Sequence, residues 1–385
     1  MEDKRSIRVL HVVMNDRKFV PPVLVKFNKD YRFDNRCLLY VKNEKSEIQI
    51  ADVPQLVVLR RKKDVKHYLK NNDYDVVFFY SMAPRNWQFV KYIPDNRIII
   101  WWCWGYEIYT DNGGLTPLVN IPLYKPETER LLENIKVGLK QHVESFLKKY
   151  FIGKHRECFR KAALPRIDYF EPTIPIELEL MKTVHGFHAK DFYYPYIFND
   201  KPVDRVEKIK NGGILIGNSA TASNNHVDVW KSINNYISPT QEVIIPLNYG
   251  DMDYALQVKA NLDTAAYNII FLDKFLPKDE YFELIDKCSY AVFGVIRQQA
   301  MGNIIRTINK GVKVFLYKDS LVYKYLSRFG YAVFDIESID SRSFREPLSE
   351  KEVMQNYQAK MKEKEYRDAV RERAIEEIKT KLNIK

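Results

Sequence analysis

Paired cysteines and long apolar runs are both missing from this chain of 385 residues. Its four cysteines lie far apart and form no CxxC pair, which predicts a reduced protein without structural zinc. The longest apolar run, residues 98–104, is much shorter than the roughly 18 residues that a membrane-spanning helix needs. No apolar signal segment follows Met1. We therefore expect a cytoplasmic protein that is neither secreted nor membrane-spanning.

Basic residues outnumber acidic ones, and aromatic residues are frequent. The chain has 61 Lys and Arg against 50 Asp and Glu, a formal net charge of +11, and 14% aromatic residues. Such a surface attracts nucleic acid, nucleotide phosphates or anionic lipid, and charge alone does not choose among them. Because the sequence has neither a recognised nucleic-acid module nor a basic stripe with regularly spaced aromatics, we expect no nucleic-acid partner.

Strand and helix patterns alternate in both halves of the chain. In the first half, strand patterns cover 8–14, 37–41, 56–59, 76–80 and 98–104, and helical patterns cover 63–72, 86–93 and 127–151. In the second half, strands are expected at 213–217, 242–247, 268–272, 290–295, 312–317 and 332–335, with helices at 225–236, 251–261, 278–287, 299–310 and 319–328. Apolar strands separated by helices indicate parallel sheets covered on both faces.

These patterns predict an α/β protein with two Rossmann-like, doubly wound domains. We place the N-terminal domain at residues 1–193 and the C-terminal domain at 194–348. A charged helical pattern over 349–382 predicts a long C-terminal helix, and this last segment, 349–385, could pack back on the N-terminal domain.

The loop after the strand at 213–217 is the first candidate binding site, because ligands of doubly wound sheets bind beyond the carboxyl ends of the strands. Gly217 allows a close backbone approach, and Ser223 or Asn224 can cap the next helix and leave amide donors for an anion. The other polar residues of this loop are Asn218, Ser219, Asn225 and His226. An ordinary capped turn would have a similar sequence, so that alternative stays open.

A second candidate loop carries Arg297, Gln298 and Gln299. Arg297 is a fixed positive charge, and the N-terminus of the following helix adds its dipole. Gly302, early in that helix, costs stability relative to alanine and so suggests close contact with a ligand. This set suits a diphosphate, and a surface arginine with ordinary capping is the alternative. Tyr249 and Phe275 follow two further strands at the same predicted edge.

Together these loops resemble the signature blocks of the 4-acetamido-4,6-dideoxy-galactose (Fuc4NAc) transferase family. The similar blocks are Gly217-Asn218-Ser219 with Ser223-Asn224-Asn225-His226, then Ile245-Pro246-Leu247-Asn248-Tyr249-Gly250, then Arg297-Gln298-Gln299-Ala300-Met301-Gly302. The resemblance is strongest over residues 205–330 and weaker in the first half. Members often have glycine where this chain has Ala300, and a small hydroxyl residue where it has Asn303, which bears on the identity of the sugar.

The resemblance implies a GT-B glycosyltransferase, whose two domains face a central cleft. It implies a TDP-Fuc4NAc donor and a polyprenyl-diphosphate-linked disaccharide acceptor at the cytoplasmic face of the inner membrane, in enterobacterial common antigen synthesis. We expect peripheral association with that membrane. We expect no metal or other cofactor, because Arg297 and helix dipoles can stabilise a departing diphosphate.

Glu107 is the candidate general base. It follows the strand at 98–104 and Gly105 among aromatic rings, where desolvation would raise its pKa. An ordinary loop carboxylate is the alternative, and Asn15 and Asp16 are weaker candidates.

Three other patterns favour plainer interpretations. His185 and His188 lack further ligands for a metal ion. Asp251-Met252-Asp253 resembles a DxD metal motif, but its position after a turn favours acids at a helix start. The basic, aromatic stretch 148–166 could lie on anionic lipid, or could be a solvated helix face.

Two alternative functions remain open. A non-catalytic nucleotide-sugar-binding protein would keep the second-half loops and would not need Glu107. A transferase with another donor could serve capsule or a different glycan.

Overall fold

The chain folds into two compact units. The computed structural model describes residues 5–43, 45–111, 114–135, 148–194, 202–205, 208–262 and 264–384. The first unit comprises Met1–Asn120, Gly138–Ile197 and Glu365–Lys385, and the second comprises Ile121–Val137 and Phe198–Lys364.

The first unit contains a parallel sheet of seven strands in the order β3-β2-β1-β4-β5-β6-β7. The strands are β1 (Ile7–Val13), β2 (Phe33–Tyr40), β3 (Leu56–Leu59), β4 (Val76–Tyr80), β5 (Ile98–Trp102), β6 (Tyr169–Glu171) and β7 (Lys190–Asp191). Every residue of β4 and β5 is buried, as expected where both faces are covered. The strand order reverses between β1 and β4, so their carboxyl ends flank a topological switch point.

The helices of the first unit are short. They are Val20–Lys29, Lys62–Asn71, Trp87–Val90, Tyr106–Tyr109, Lys154–Ala163 and Pro175–Met181. The sequence patterns miss Val20–Lys29, whose Pro21 and Pro22 occupy the first turn, where a missing N–H breaks no helical hydrogen bond. They also miss β6 and β7, which are too short to show a period.

The second unit contains a parallel sheet of six strands in the order β10-β9-β8-β11-β12-β13. The strands are β8 (Gly213–Ile216), β9 (Glu242–Pro246), β10 (Asn268–Leu272), β11 (Cys288–Phe293), β12 (Lys313–Leu316) and β13 (Val333–Asp335). The helices are Pro126–Asn134, His226–Ile233, Met252–Asn261, Lys278–Lys287, Met301–Asn309 and Leu321–Phe329. The predicted doubly wound arrangement is confirmed, with a switch point between β8 and β11.

The predicted helix over 127–151 is confirmed at its start and wrong in its length, because the helix Pro126–Asn134 ends at Ile135, whose backbone is extended. Residues 136–147 of that prediction lie outside the described residues. The chain continues with a π-helical segment, Lys148–Gly153.

The division into units also differs from the predicted boundaries, since Ile121–Val137 clusters with the second unit. Asp228 explains this placement. Its carboxylate accepts hydrogen bonds from the backbone N–H of Glu127 and of Thr128, at 2.8 and 2.9 Å, and so caps the helix Pro126–Asn134.

The predicted C-terminal helix is confirmed as Glu350–Lys381, and its residues are divided between the units. In the second unit, the hydroxyls of Tyr325 and Tyr331 donate to Glu363 at 2.5 and 2.6 Å. In the first unit, Ala374, Ile375 and Ile378 are part of the hydrophobic core. Within the described part of the chain, we find no helix with the length and apolar character needed to cross a membrane.

Candidate functional site

The loop after β8 begins at Gly217, whose φ of +67° favours glycine. A Cβ atom at this position would lie 2.6 Å from Nε2 of His226 and 3.3 Å from Oδ1 of Asn224. Both polar atoms therefore sit directly against the backbone at the end of β8. A side chain here would push them away.

Hydrogen bonds join this loop to the loops that follow β9 and β11. The Ser223 hydroxyl donates to Oε1 of Gln299 at 2.5 Å. The backbone N–H of Ala220 donates to the carbonyl of Tyr249 at 2.8 Å. The predicted convergence of separate strand ends at one edge of this sheet is thus present in the second unit.

Several buried polar atoms at this edge have no hydrogen-bond partner among the described residues. They are Oδ1 of Asn218, Oδ1 of Asn224, Nε2 of His226, Oδ1 of Asn248 and Oε1 of Gln298. Buried polar atoms are normally paired, and each one left unpaired costs about 1–3 kcal/mol. Their grouping at the carboxyl edge of one sheet is the arrangement of a site that pairs with a polar ligand.

His226 is fully buried, and burial lowers its pKa to about 3, so its imidazole is neutral at physiological pH. The Tyr254 hydroxyl accepts from the backbone N–H of His226 at 3.3 Å and lies 3.1 Å from Nδ1. Tyr254 thus engages Nδ1, and Nε2 is left facing the end of β8. His226 can therefore form a hydrogen bond there, but it supplies no positive charge for a phosphate.

The positive charge at this edge comes from Arg297. This half-buried residue follows β11, and its Nη1 donates to the carbonyl of Gln298 at 2.7 Å. Ala300 caps the helix Met301–Asn309 in the left-handed region, with φ of +58°, where glycine would be less strained. The nine-residue helix directs the positive end of its dipole toward the same edge.

Asn225 has its amide group fully engaged by the protein. Its Oδ1 accepts from the backbone N–H of Lys125 at 2.8 Å, and its Nδ2 donates to the carbonyl of Gly294 at 2.7 Å. Because both ends of the amide are used in this way, the geometry favours a role for Asn225 in positioning the loop. It does not favour the predicted contact with a donor molecule.

Three other predicted residues are exposed or have a hydrogen-bond partner outside the loop after β8. Nδ2 of Asn303 donates to the Tyr281 hydroxyl at 2.8 Å. Gly302 is exposed, and Phe275 is 82% exposed. For these three residues, contact with the donor stays a prediction.

The acidic pair after β9 has a structural role. Oδ1 of Asp251 accepts from the backbone N–H of Asp253 and of Tyr254, at 2.9 and 3.1 Å, and so caps the helix Met252–Asn261. Among the described residues, no three His, Cys, Asp or Glu side chains are grouped as metal ligands would be, and this includes His185 and His188.

Glu107 in the first unit is buried, and burial raises the pKa of its carboxyl. Its Oε1 accepts from the backbone N–H of Met82 at 3.0 Å and from the indole of Trp101 at 3.2 Å. Its Oε2 accepts from the backbone N–H of Trp104 at 2.8 Å. Both carboxylate oxygens therefore accept hydrogen bonds from the protein. This favours a role for Glu107 in positioning the surrounding turns, and not the predicted role of general base.

The weaker candidates after β1 stabilise their own turn. Oδ1 of Asn15 accepts from the backbone N–H of Gln49 at 2.8 Å, and Oδ1 of Asp16 accepts from that of Lys18 at 2.8 Å. The sequence patterns miss Ser81, a buried residue at the end of β4 with φ of +74°. Its only sequence signal is its position after an apolar strand.

The family model that matches this chain is described as 4-alpha-L-fucosyltransferase, glycosyl transferase group 56, and the match covers residues 178–370.

Solved structures of glycosyltransferases are similar over nearly the whole chain. One is a glycosyltransferase from Rickettsia africae ESF-5, with a TM-score of 0.61, 10% identity, and coverage of 98% of this chain and 99% of that one. Another is an α,α-trehalose-phosphate synthase (UDP-forming) from Burkholderia xenovorans, with a TM-score of 0.56, 10% identity, and coverage of 97% and 100%. A third is WaaG, a glycosyltransferase involved in lipopolysaccharide biosynthesis, with a TM-score of 0.51, 10% identity, and coverage of 97% and 99%. At such low identity the likeness establishes the fold, which is GT-B.

Proposed function

Because the chain belongs to the 4-alpha-L-fucosyltransferase family, glycosyl transferase group 56, and is therefore a glycosyltransferase, we propose a specific donor and acceptor for it. The donor is a TDP-activated N-acetylated deoxyhexosamine of the Fuc4NAc type. The acceptor is an oligosaccharide linked to a polyprenyl diphosphate, in bacterial surface polysaccharide synthesis such as that of enterobacterial common antigen.

The group of unpaired atoms beside Gly217 is the observation that carries this proposal. An activated sugar with an acetamido group and hydroxyls offers both donors and acceptors for these amide and imidazole atoms. Its diphosphate suits the charge of Arg297 and the dipole of the helix Met301–Asn309.

In the transfer itself, the acceptor hydroxyl oxygen forms a bond to the anomeric carbon, and the hydroxyl proton is released to water. The bond from that carbon to the diphosphate oxygen breaks, and its electron pair departs with the diphosphate. Arg297 and the helix dipole stabilise this developing charge. We propose that the reaction needs no metal ion, so activity should survive EDTA; strict dependence on added Mg²⁺ or Mn²⁺ would contradict this.

Arg297→Ala tests the donor site, with calorimetric binding of TDP as the measurement. Losing a charge-assisted hydrogen bond of about 1.5–3 kcal/mol should weaken TDP binding roughly 10- to 100-fold. Arg342→Ala is the matched control, because Arg342 belongs to the same unit and its side chain is 79% exposed. Equal TDP affinity in both variants would refute the assignment of the diphosphate to Arg297.

A panel of TDP- and UDP-sugars, with mass spectrometry of the products, tests the sugar and separates the alternatives. Transfer from a TDP-acetamido sugar supports the proposal. Transfer only from another sugar nucleotide favours a capsule or other glycan. Binding without transfer to any acceptor favours a nucleotide-sugar-binding protein.

We also propose that the first unit meets the cytoplasmic face of the inner membrane through the segment around Phe151. Phe151 is 66% exposed and Ile152 is 45% exposed, and the exposed Lys154 and half-buried Arg156 follow them directly. Exposed apolar side chains beside positive charge suit an anionic lipid surface. Arg166 does not belong to this surface, because it pairs with Asp95 at 2.7 Å.

Cosedimentation with vesicles of phosphatidylglycerol and of phosphatidylcholine tests this surface. We expect the double variant Phe151→Ser, Ile152→Ser to lose binding to the anionic vesicles. Tyr31→Ser is the control, since Tyr31 is 86% exposed in the same unit. Equal loss in both would point to general surface hydrophobicity.

A further inference from the structure

The turns that follow β4 and β5 both have left-handed backbone at the carboxyl edge of the first sheet. Ser81 has φ of +74°, and Gly105 has φ of +83°. The two strands are neighbours, with Tyr80 paired to Trp102 at their last rung. Glycine adopts this conformation freely, whereas serine is strained in it, and such strain concentrates at functional sites.

Glu107 holds both turns with one carboxylate. Oε1 accepts from the backbone N–H of Met82, directly after Ser81, and Oε2 accepts from that of Trp104, directly before Gly105. Breaking the bond from Met82 would leave a buried N–H unpaired at a cost of about 1–3 kcal/mol. The carboxylate therefore fixes the relative position of the two strand ends.

The turns bring together two hydroxyl groups. Oγ of Ser81 lies 2.6 Å from the hydroxyl of Tyr106, the residue next to Glu107. Ser81 is buried, whereas Tyr106 is half-buried, so the pair extends from the strained turn toward solvent. Burial and the charge of Glu107 raise the pKa of Tyr106, so its hydroxyl stays protonated and can donate.

Two further polar atoms near these turns lack a partner among the described residues. They are the hydroxyl of Tyr80 and the indole Nε1 of Trp104, and both are buried atoms. The ring of Trp104 lies 5.0 Å from that of Trp102 and 4.6 Å from that of Phe19. Hydroxyl groups and an indole N–H beside flat rings suit a ligand that has hydroxyls on an apolar ring face.

We propose that Tyr106, Ser81 and Trp104 bind the acceptor sugar through its hydroxyls, and that Glu107 is a positioning residue for this site. The inference rests on the proposed transfer to an oligosaccharide. The hydroxyls of Ser81 and Tyr106 are hydrogen-bonded to each other, and the Tyr106 hydroxyl can also bond a sugar oxygen. Trp104 contributes an N–H and a ring. Both oxygens of Glu107 already accept hydrogen bonds from the protein, so we assign it to holding the turns that carry the acceptor site.

Tyr106→Phe and Tyr109→Phe form a matched pair of variants on one short helix. The Tyr109 hydroxyl donates to Glu177 at 3.1 Å in the interior, so its loss should lower the Tm and leave the KM for acceptor unchanged. Loss of the Tyr106 hydroxyl should raise the KM for a synthetic polyprenyl-diphosphate disaccharide roughly 5- to 10-fold, with little change in TDP affinity. An unchanged KM in Tyr106→Phe would overturn the acceptor site.

Glu107→Gln tests the positioning role. An amide nitrogen cannot accept from a backbone N–H, so one turn should loosen, with a lower Tm, a higher KM for the acceptor, and a pH profile of kcat shaped like that of the wild type. Lost turnover with an unchanged Tm, or loss of the acidic limb of that profile, would show that Glu107 is the base. Failure of the wild type to bind TDP or to transfer a sugar would instead defeat the proposed function.

Discussion

The two switch points of the molecule differ in how they treat polar groups. Between β8 and β11, a glycine lets amide and imidazole atoms approach the backbone, and several of them have no partner among the described residues. In the first unit, beside its switch point, buried rings surround the ends of β4 and β5, and the carboxylate of Glu107 is paired there, whereas the hydroxyl of Tyr80 and the indole N–H of Trp104 have no partner among the described residues. The second unit thus presents a hydrogen-bonding surface prepared for a ligand. The first uses one carboxylate to hold a strained turn and presents fewer polar groups, set among aromatic rings.

Gly217→Ala tests the prepared surface and should have the largest effect. The added Cβ would lie 2.6 Å from Nε2 of His226, so TDP binding should be lost, and the left-handed backbone adds strain of about 1–2 kcal/mol. Gly330→Ala is the control, because φ is +93° there and no atom lies within 4 Å of an added Cβ. It should lose similar stability and still bind TDP in calorimetry. If Gly217→Ala bound TDP as the wild type does, the loop after β8 would not be the prepared binding surface, and the two units would not differ in this respect.

The first unit should also respond to pH through Glu171, because burial raises the pKa of this carboxyl to about 8 in the folded state. The folded protein therefore holds a proton that the unfolded chain, with an ordinary pKa near 4.5, releases. Between these pH values the native state binds more protons, so the free energy of unfolding falls as pH rises from 5 to 8. Glu177, with a pKa raised to about 7 by burial, contributes in the same direction.

Glu171→Gln should make this pH dependence shallower in urea unfolding. Each pKa unit corresponds to about 1.4 kcal/mol, so the effect should be readily measurable. Glu376→Gln is the control, since its side chain is 66% exposed and it lies in the same unit. A Glu171→Gln variant with the wild-type slope would mean that this carboxyl is ionised in the fold.

Thr128→Val should have the smallest effect. It tests whether the helix Pro126–Asn134 only stabilises the second unit or also takes part in binding TDP. The buried Thr128 hydroxyl donates to Asp228 at 2.6 Å, and its loss should lower the free energy of unfolding by about 1–2 kcal/mol. TDP affinity should stay unchanged, because this bond secures the helix Pro126–Asn134. Weaker TDP binding at unchanged stability would show that this helix takes part in the ligand site.

The second unit was the more predictable from sequence because its site occupies two continuous loops. Gly217 to His226 and Arg297 to Gln299 each follow an apolar strand, so strand ends alone predict their convergence. The neutral state of His226 depends on complete burial, and the engagement of Asn225 depends on Lys125, which is distant in sequence. Neither leaves a local pattern.

The first unit was less predictable because its key pair joins separate turns. Ser81 and Tyr106 meet only because β4 and β5 are neighbours in register, and a serine gives no sign that its φ is positive. No sequence pattern indicates that Ile121–Val137 belongs to the second unit, because the contact that holds it there joins residues far apart in the chain. Asp228 looks like an ordinary first-turn acid of its own helix, whereas its carboxylate caps another.

The helix Glu350–Lys381 has a consequence for synthesis on the ribosome. Domains generally fold in the order in which they emerge, from the N-terminus onward. Here Ala374, Ile375 and Ile378 complete the core around β1, β4 and β5, which were translated long before. Of these two units, the one whose strands are translated earlier is therefore completed later, because its core includes residues of this helix.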